Sequence, residues 1–380
     1  MARIVLIGSA HPLRGGGLAT FNERLATAFM QMGHDVTIYT FSLQYPSFLF
    51  PGKTQYSNEP PPEQLDIKVK VNSINPFNWI KIGRELSKIA PDIVVLRYWI
   101  PFIAPSLGKI SRIIRKNKKS KVVAIADNII PHEKRLGDKL LTKYFVNSVD
   151  GFVILSQSVM QDLEKFNLSK PRKLCLHPLY DNFGDKLPKD KALKELSLDS
   201  DYCYLLFFGF IRAYKGLDLL LKAMAEPVLK NKKIKAIIAG EFYENPKEYI
   251  DLIEKLGIRS SVVLHNNFIP NNKVAAYFSA ADLVVQPYKD ATQSGVTQVA
   301  YHFNVPMVVT NVGALPEMVN HGKAGYVVEP DEKQIANAIG DFFENNRAGV
   351  FANTIIEEKK RFSWESLVNS IFEVYDKTRA

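Results

Sequence analysis

Short apolar runs alternate with amphipathic stretches along this chain, and the alternation occurs twice. That pattern restricts the fold to an α/β class with doubly wound parallel sheets. In the first series Arg3–Gly8 reads as a strand and Ser9–Ala19 as a loop holding Gly15, Gly16 and Gly17. Thr20 and Glu23 form a capping box for a helix that runs to about Met32 and stops at Gly33. Strands follow at Asp35–Phe41, Asp66–Asn72, Asp92–Leu96, Lys121–Ala126, Gly151–Leu155 and Lys173–His177. The intervening helices are Phe77–Ile89, Pro105–Lys116, Leu136–Asn147 and a segment capped by Ser156. Asp181–Ser200 is polar and reads as the link between domains. The second series has strands at Tyr204–Phe208, Ile234–Ala239, Val262–His265, Leu283–Gln286, Met307–Thr310 and Gly325–Val328. Its helices fall at Leu217–Met224, near Pro246–Leu256, at Gly295–Phe303, near Leu315–Val319 and at Ile335–Asn345, and an amphipathic helix, Trp364–Lys377, ends the chain. The expected division between the two series falls after residue 181. Ligands of such units bind at the carboxyl ends of the strands.

One stretch concentrates the chemistry. Leu205–Met224 reads LLFFGFIRAYKGLDLLLKAM. The run Leu205–Phe208 makes a buried strand ending in Gly209; Arg212, Lys215 and Gly216 follow, and then a helix. Strand, loop, helix aims backbone N–H groups and a positive dipole end at an anion. Two cations at that mouth suit a diphosphate, while the competing reading is an ordinary β–α connection with solvated charges. The Gly15–Gly17 run permits close backbone approach to a ligand. It does not spell GxGxxG, and no acidic residue ends the second strand, so the dinucleotide signature is weak.

Composition narrows the class further. The chain has 380 residues, 46% hydrophobic and 23% charged, as a soluble protein of about two domains has. No apolar run approaches the roughly 20 residues needed to span a bilayer. Cys175 and Cys203 are the only two cysteines, which argues against a disulfide scaffold and for a reducing, cytoplasmic setting. The net charge of +10 is uneven: Met1–Tyr180 holds 25 Lys and Arg against 13 Asp and Glu, a surplus of +12, and the remainder holds 24 against 26. In the basic half Lys81, Arg84, Lys88, Arg112, Arg115, Lys116, Lys118 and Lys119 lie near Trp79, Trp99 and Phe102 in sequence. Basic residues with interfacial aromatics suit peripheral docking on an anionic membrane, here the inner face, and a solvated surface is the plain alternative. No nucleic-acid motif accompanies the charge, so a nucleic-acid partner is not expected.

Several stretches resemble glycosyltransferase family 4 (group 1). They are RIVLIGSAHPLRGGGLATFNERLATAFMQMGHDVTIYT, FFGFIRAYKGLDLLLKA, ADLVVQPY with TQSGVTQVAYHFNVPMVVTNVGALPEMV, and HGKAGYVVEPDE. The resemblance implies the GT-B fold, two Rossmann-like domains facing across a cleft, with the acceptor on the N-terminal domain (residues 1–181, completed by the returning helix of 362–380) and the donor on the C-terminal one (residues 182–361). It also implies a retaining transferase for a nucleotide diphosphate sugar such as a UDP- or GDP-sugar, with no metal or other cofactor. The acceptor would be a glycan or lipid-linked, in bacterial surface polysaccharide, lipopolysaccharide or glycolipid assembly. A nucleotide-sugar 2-epimerase on the same fold is the alternative.

Residue by residue, Arg212 and Lys215 would stabilise the departing diphosphate, since sugar transfer needs fixed positive charge at that oxygen. Gly209, Ser294, Gly295 and Val296 would hold the same group, and Gly16 and Gly17 would close over it. Phe268 and Ile269 would border the nucleobase, Gln298 the ribose and Glu317 the nucleotide. Asp127 and His132 follow an N-terminal strand where the family places a residue facing the scissile bond. Two departures stand out. Phe210 occupies the slot of the family's loop arginine. The paired glutamates are missing, their slots holding Ala291 and Val299, or Asp290 and Gln298 after a one-residue shift. Asp199-Ser200-Asp201 spells the DxD of metal-dependent glycosyltransferases, but it precedes a strand in the polar link and reads as a turn.

Overall fold

A computed structural model describes residues 1–14, 17–46, 54–57, 59–130, 136–166, 169–291 and 294–379. Contacts divide the chain into two units, Met1–Pro178 with Phe362–Ala380, and Leu179–Arg361. The strands of the first unit are β1 (Arg3–Ile7), β2 (Asp35–Leu43), β3 (Asp66–Asn72), β4 (Ile93–Tyr98), β5 (Lys121–Ala126), β6 (Gly151–Ile154) and β7 (Arg172–Leu174). They form one sheet in the order β3-β2-β1-β4-β5-β6-β7, parallel throughout. The helices of this unit are α1 (Ala19–Gln31), α2 (Pro76–Ile89), α3 (Ala104–Arg115), α4 (Asp138–Val146) and α5 (Gln157–Glu164).

The second unit carries α6 (Lys189–Glu195), β8 (Cys203–Phe208), α7 (Leu217–Met224), β9 (Ile234–Ala239), α8 (Pro246–Lys255), β10 (Val262–His265), α9 (Asn271–Ala280) and β11 (Leu283–Gln286). It continues with α10 (Gly295–His302), β12 (Met307–Thr310), α11 (Leu315–Met318), β13 (Gly325–Val328), α12 (Glu332–Glu344) and α13 (Ala348–Glu358). Its parallel sheet runs β10-β9-β8-β11-β12-β13. The chain then re-enters the first unit as α14 (Trp364–Lys377), where Trp364 is buried edge-on to Phe21 at 5.0 Å with the Arg24 guanidinium over it.

The central strands are nearly continuous Val, Ile, Leu and Ala because helices cover both faces. Each unit has its own apolar core, one around Leu96, Tyr98, Leu107 and Phe145, the other around Phe207, Leu220, Ile238 and Ile339. Among the described residues no helix is long and apolar enough to cross a membrane.

Three local expectations fail for physical reasons. Thr20 and Glu23 do not form a capping box: α1 begins at Ala19, and the Glu23 carboxylate accepts the His11 N–H at 2.7 Å, pinning the loop after β1. Asp181–Ser200 is not a bare link. It carries α6, which buries Ala192 and Leu193 and is tied down by Lys273–Glu195 at 2.7 Å, by the Lys189–Asp282 ion pair and by the Leu187 N–H donating to Ser279. Only two apolar positions mark that helix, too few for a periodic signal. The helix α9 was not anticipated, because it is buried from Val274 to Ala280 on all sides and shows no polar face.

Candidate functional site

In the second unit the chain builds β8, β9 and β10 outward in one direction, then returns to lay β11 on the other side of β8. The switch point lies between β8 and β11, where open α/β sheets leave a crevice at the carboxyl ends of their strands. The loops after those strands include residues 209–216 and 287–291.

The β8 loop is held by its neighbours. Gly209 N–H donates to Ala239 O at 2.9 Å, Ile211 N–H to Glu241 O at 2.9 Å, and Ala213 N–H to the Glu244 carboxylate at 2.9 Å. Two glycines permit this fit. Gly240 has φ +152° and a Cβ there would stand 2.0 Å from the Gly209 carbonyl oxygen. Gly216 has φ +67°, and a Cβ there would stand 1.9 Å from the Pro287 carbonyl oxygen. Gly240→Ala is therefore expected to lower the unfolding free energy by roughly 2 kcal/mol or more, read as a lower urea midpoint. An unchanged midpoint would mean that the β8 and β9 loops do not run this close.

Lys215 closes a single 3-10 turn, Ala213–Lys215, and is buried. Its ammonium makes no hydrogen bond or ion pair among the described residues; the Tyr288 ring is 5.7 Å away. Burial, and then the charge of Arg212, push its pKa down to about 8. A buried cation without a counter-charge is costly unless something arrives to pair with it. A Cβ set on Gly209 would lie 3.0 Å from the Lys215 Nζ and 3.8 Å from Val296 Cγ2, so the β8 turn, the lysine and the start of α10 converge. Arg212 is half-buried, with its guanidinium 5.1 Å from the Tyr243 ring centroid.

The N-terminus of α10 supplies the second half of an anion site. Ser294 stands at the N-cap but does not cap: its hydroxyl donates to Gln286 Oε1 at 2.6 Å, and Thr297 donates to the same oxygen at 3.2 Å. A serine at this position ordinarily satisfies an N–H of the first turn. Here Gln286 diverts it, and Ser294 gives the first-turn N–H groups no side-chain cap. Gly295 gives room for Tyr180, whose ring edge would be 2.9 Å from a Cβ. Gln286 and Tyr288 were missed from sequence; the only signal was a polar residue closing the apolar strand LVVQ.

On the outer side of the loop, Phe210 and Tyr243 rings are 4.4 Å apart, and Phe210 and Phe268 are 6.2 Å apart at 27°. Phe268 is thus half-buried in an aromatic row drawn from the loops after β8, β9 and β10, with half-buried Ile269 beside it.

In the first unit Asp127 follows β5 and meets Arg97 of β4. Arg97 Nε and Nη2 each donate to one carboxylate oxygen at 2.6 Å, and both side chains are buried. The guanidinium lies 3.5 Å over the Phe21 ring, and the buried His177 stands edge-on to that ring at 5.0 Å. Burial, reinforced by Arg97, lowers the His177 pKa to about 4, so its imidazole is neutral.

Residues 15–178 match the family model described as Glycosyltransferase Family 4, and residues 203–345 that described as Glycosyl transferases group 1. The chain belongs to the family 4, group 1 glycosyltransferases. A D-inositol 3-phosphate glycosyltransferase of Nocardioides sp. is 27% identical over 69% of this chain and 60% of its own length. The first curated relatives matched are spanned over less than two thirds of their length. Among solved structures, a sucrose-phosphate synthase of Thermosynechococcus elongatus superimposes with a TM-score of 0.75 at 17% identity, covering 99% of each chain. HepE of Anabaena, solved in complex with UDP-glucose, gives 0.73 at 16% identity, covering 99% of this chain and 100% of that one. These likenesses establish the GT-B fold.

Against the family's expectations, the structure brings together Gly209, Lys215, Ser294, Gly295 and Val296. Gly16 and His132 lie outside the described residues; Gly17 is an exposed turn residue ahead of α1. Three further candidates stand in other surroundings. Gln298 is fully buried, and neither polar atom of its amide has a partner among the described residues. Glu317 lies on the four-residue α11 and is exposed. Asp127 accepts from Arg97 through both carboxylate oxygens. Asp199-Ser200-Asp201 is a turn, in which Asp201 N–H donates to Asp199 Oδ1 at 3.0 Å.

Proposed function

We propose that this chain is a retaining glycosyltransferase that takes its sugar from a nucleoside diphosphate sugar and passes it to a hydroxyl of a glycan or lipid-linked acceptor. The observation that carries the reading is the buried Lys215, whose ammonium has no partner among the described residues, beside the uncapped start of α10. A pyrophosphate is dianionic or more, and its oxygens match both a point cation and a row of backbone N–H donors. As the bond from C1 to the diphosphate oxygen breaks, negative charge grows on that oxygen and Lys215 and Arg212 stabilise it. The acceptor oxygen bonds to C1, and its proton leaves on the departing diphosphate. Fixed donors of this kind are worth about two to three orders of magnitude each in turnover. With two cations and a helix terminus at the leaving group, no divalent metal is required by the proposed chemistry. Retention rests on the family resemblance. UDP is the first nucleotide to test, because HepE is known with UDP-glucose.

The test is a thermal-melting series with UDP, GDP and ADP. A ligand held only by the native state stabilises it by about 2.7 kcal/mol at a hundredfold excess over Kd. One of the three is expected to raise the melting temperature without added metal. No response to any nucleoside diphosphate would overturn the reading.

A further inference from the structure

We infer that the groove between α2 and α3 is a docking site for the headgroup phosphates of an anionic bilayer. Arg84 and Lys88 line it from α2, Lys109 and Lys116 from α3, and Ile80 and Ile113 form its floor, in a space of about 450 Å³. The spacing puts 80, 84 and 88 on one face of α2 and 109, 113 and 116 on one face of α3. Gly83 brings the helices together: a Cβ there would be 2.8 Å from the Ile113 Cβ.

None of the four cations has an ion pair or side-chain hydrogen bond among the described residues, although neighbours on the same helices do. Arg115 is paired with Asp150 at 2.7 Å, and Arg112 donates to the Gly108 and Tyr144 carbonyls. The one carboxylate on α2, Glu85, is taken by Lys70 and Tyr39, and α3 has none. Four like charges thus converge on a concave site with no internal counter-charge, an arrangement that repels itself until an anion enters.

The apolar neighbours select the occupant. Phe77 is 84% exposed and continues the stripe 77, 81, 84, 88 along α2, and Ile74 just before the helix is 49% exposed. An exposed phenylalanine in line with lysines and an arginine matches the boundary between headgroups and acyl chains. Free phosphate or a nucleic-acid backbone would leave that ring in water.

The experiment measures co-sedimentation of the full chain with vesicles of phosphatidylcholine alone and of phosphatidylcholine mixed with phosphatidylglycerol. Wild type should bind the mixed vesicles, and salt should weaken the binding. The combined variant R84E/K88E/K109E/K116E should lose about three orders of magnitude or more in partitioning. A variant with the same charge change in the second unit, K230E/K247E/K255E/K323E, should bind like wild type. Phe77→Ser should weaken binding several-fold with no change in charge. All these side chains are exposed, and the melting temperature and its response to nucleotide serve as the check that each variant is folded. Equal partitioning of wild type and the groove variant, or no preference for phosphatidylglycerol, would overturn the inference. So would a groove-dependent shift of a random oligonucleotide without vesicle binding. Because vesicle binding is read without donor, this result stands or falls apart from the transfer reaction.

Discussion

Lys215→Met is expected to melt at a higher temperature than wild type without ligand, and to lose any response to nucleoside diphosphate. Methionine fills nearly the same volume and suits the neighbouring Tyr288 ring. It removes a charge whose pKa burial has lowered from 10.5 to about 8. That depression is equivalent to roughly 3 kcal/mol held against folding at neutral pH. The variant should therefore gain up to about that amount, several degrees in a unit of this size. Transfer should fall by at least about two orders of magnitude. A residue serving the fold would give the opposite pair of results, lower stability with activity spared.

The pH dependence separates this account from simple repacking. In the unfolded chain the lysine keeps its proton up to about 10.5, whereas in the folded chain it releases it near 8. Between those values the unfolded state binds more protons, so folding becomes more favourable as pH rises. Below about pH 8 the penalty is present in full. The stability gap between wild type and Lys215→Met should be constant from pH 6 to 7.5, narrow through pH 8–10 and nearly close by pH 10.5, measured by urea unfolding. A gap that does not change with pH would show that the ammonium is not the source.

The parts of this site that can be read from sequence are local ones. Leu205–Phe208 is an unbroken apolar run, Gly209 ends it, and Lys215 follows within one turn, so strand, loop and helix need no knowledge of distant residues. The diverted cap of α10 is different. Ser294 looks like an ordinary N-cap until Gln286, eight positions earlier and on another element, is seen to hold its hydroxyl. The same is true of Glu23, whose spacing from Thr20 suggests a capping box and whose carboxylate is drawn to His11. Asp127 and Arg97 are 30 residues apart and meet only because β4 and β5 are adjacent. Gln298 sits at the expected place in the motif, yet helix α10 turns it inward. Spacing along the chain locates backbone features; which polar side chains find each other depends on strand order, and nothing in composition or periodicity encodes that directly.

Asp127→Ala is expected to destabilise the first unit by about 3–5 kcal/mol, because it leaves the Arg97 guanidinium buried without its carboxylate. The neighbours do not compensate: Phe21 offers only a ring face, and His177 is neutral. Asp127→Asn should cost less, since one acceptor oxygen remains for Nε or Nη2. The decisive variant removes both charges. Arg97→Leu with Asp127→Leu replaces the pair by apolar groups in a site already sealed by Phe21, and should lie within about 1–2 kcal/mol of wild type although Asp127→Ala alone does not. If Asp127 instead met the acceptor hydroxyl, Asp127→Ala would unfold like wild type and lose turnover, and the double variant would be folded and inactive for the same reason. Urea unfolding of the single and double variants distinguishes the cases before any substrate is known. A stability loss in Asp127→Ala that the second substitution restores makes this carboxylate the partner that lets an arginine be buried in the sheet.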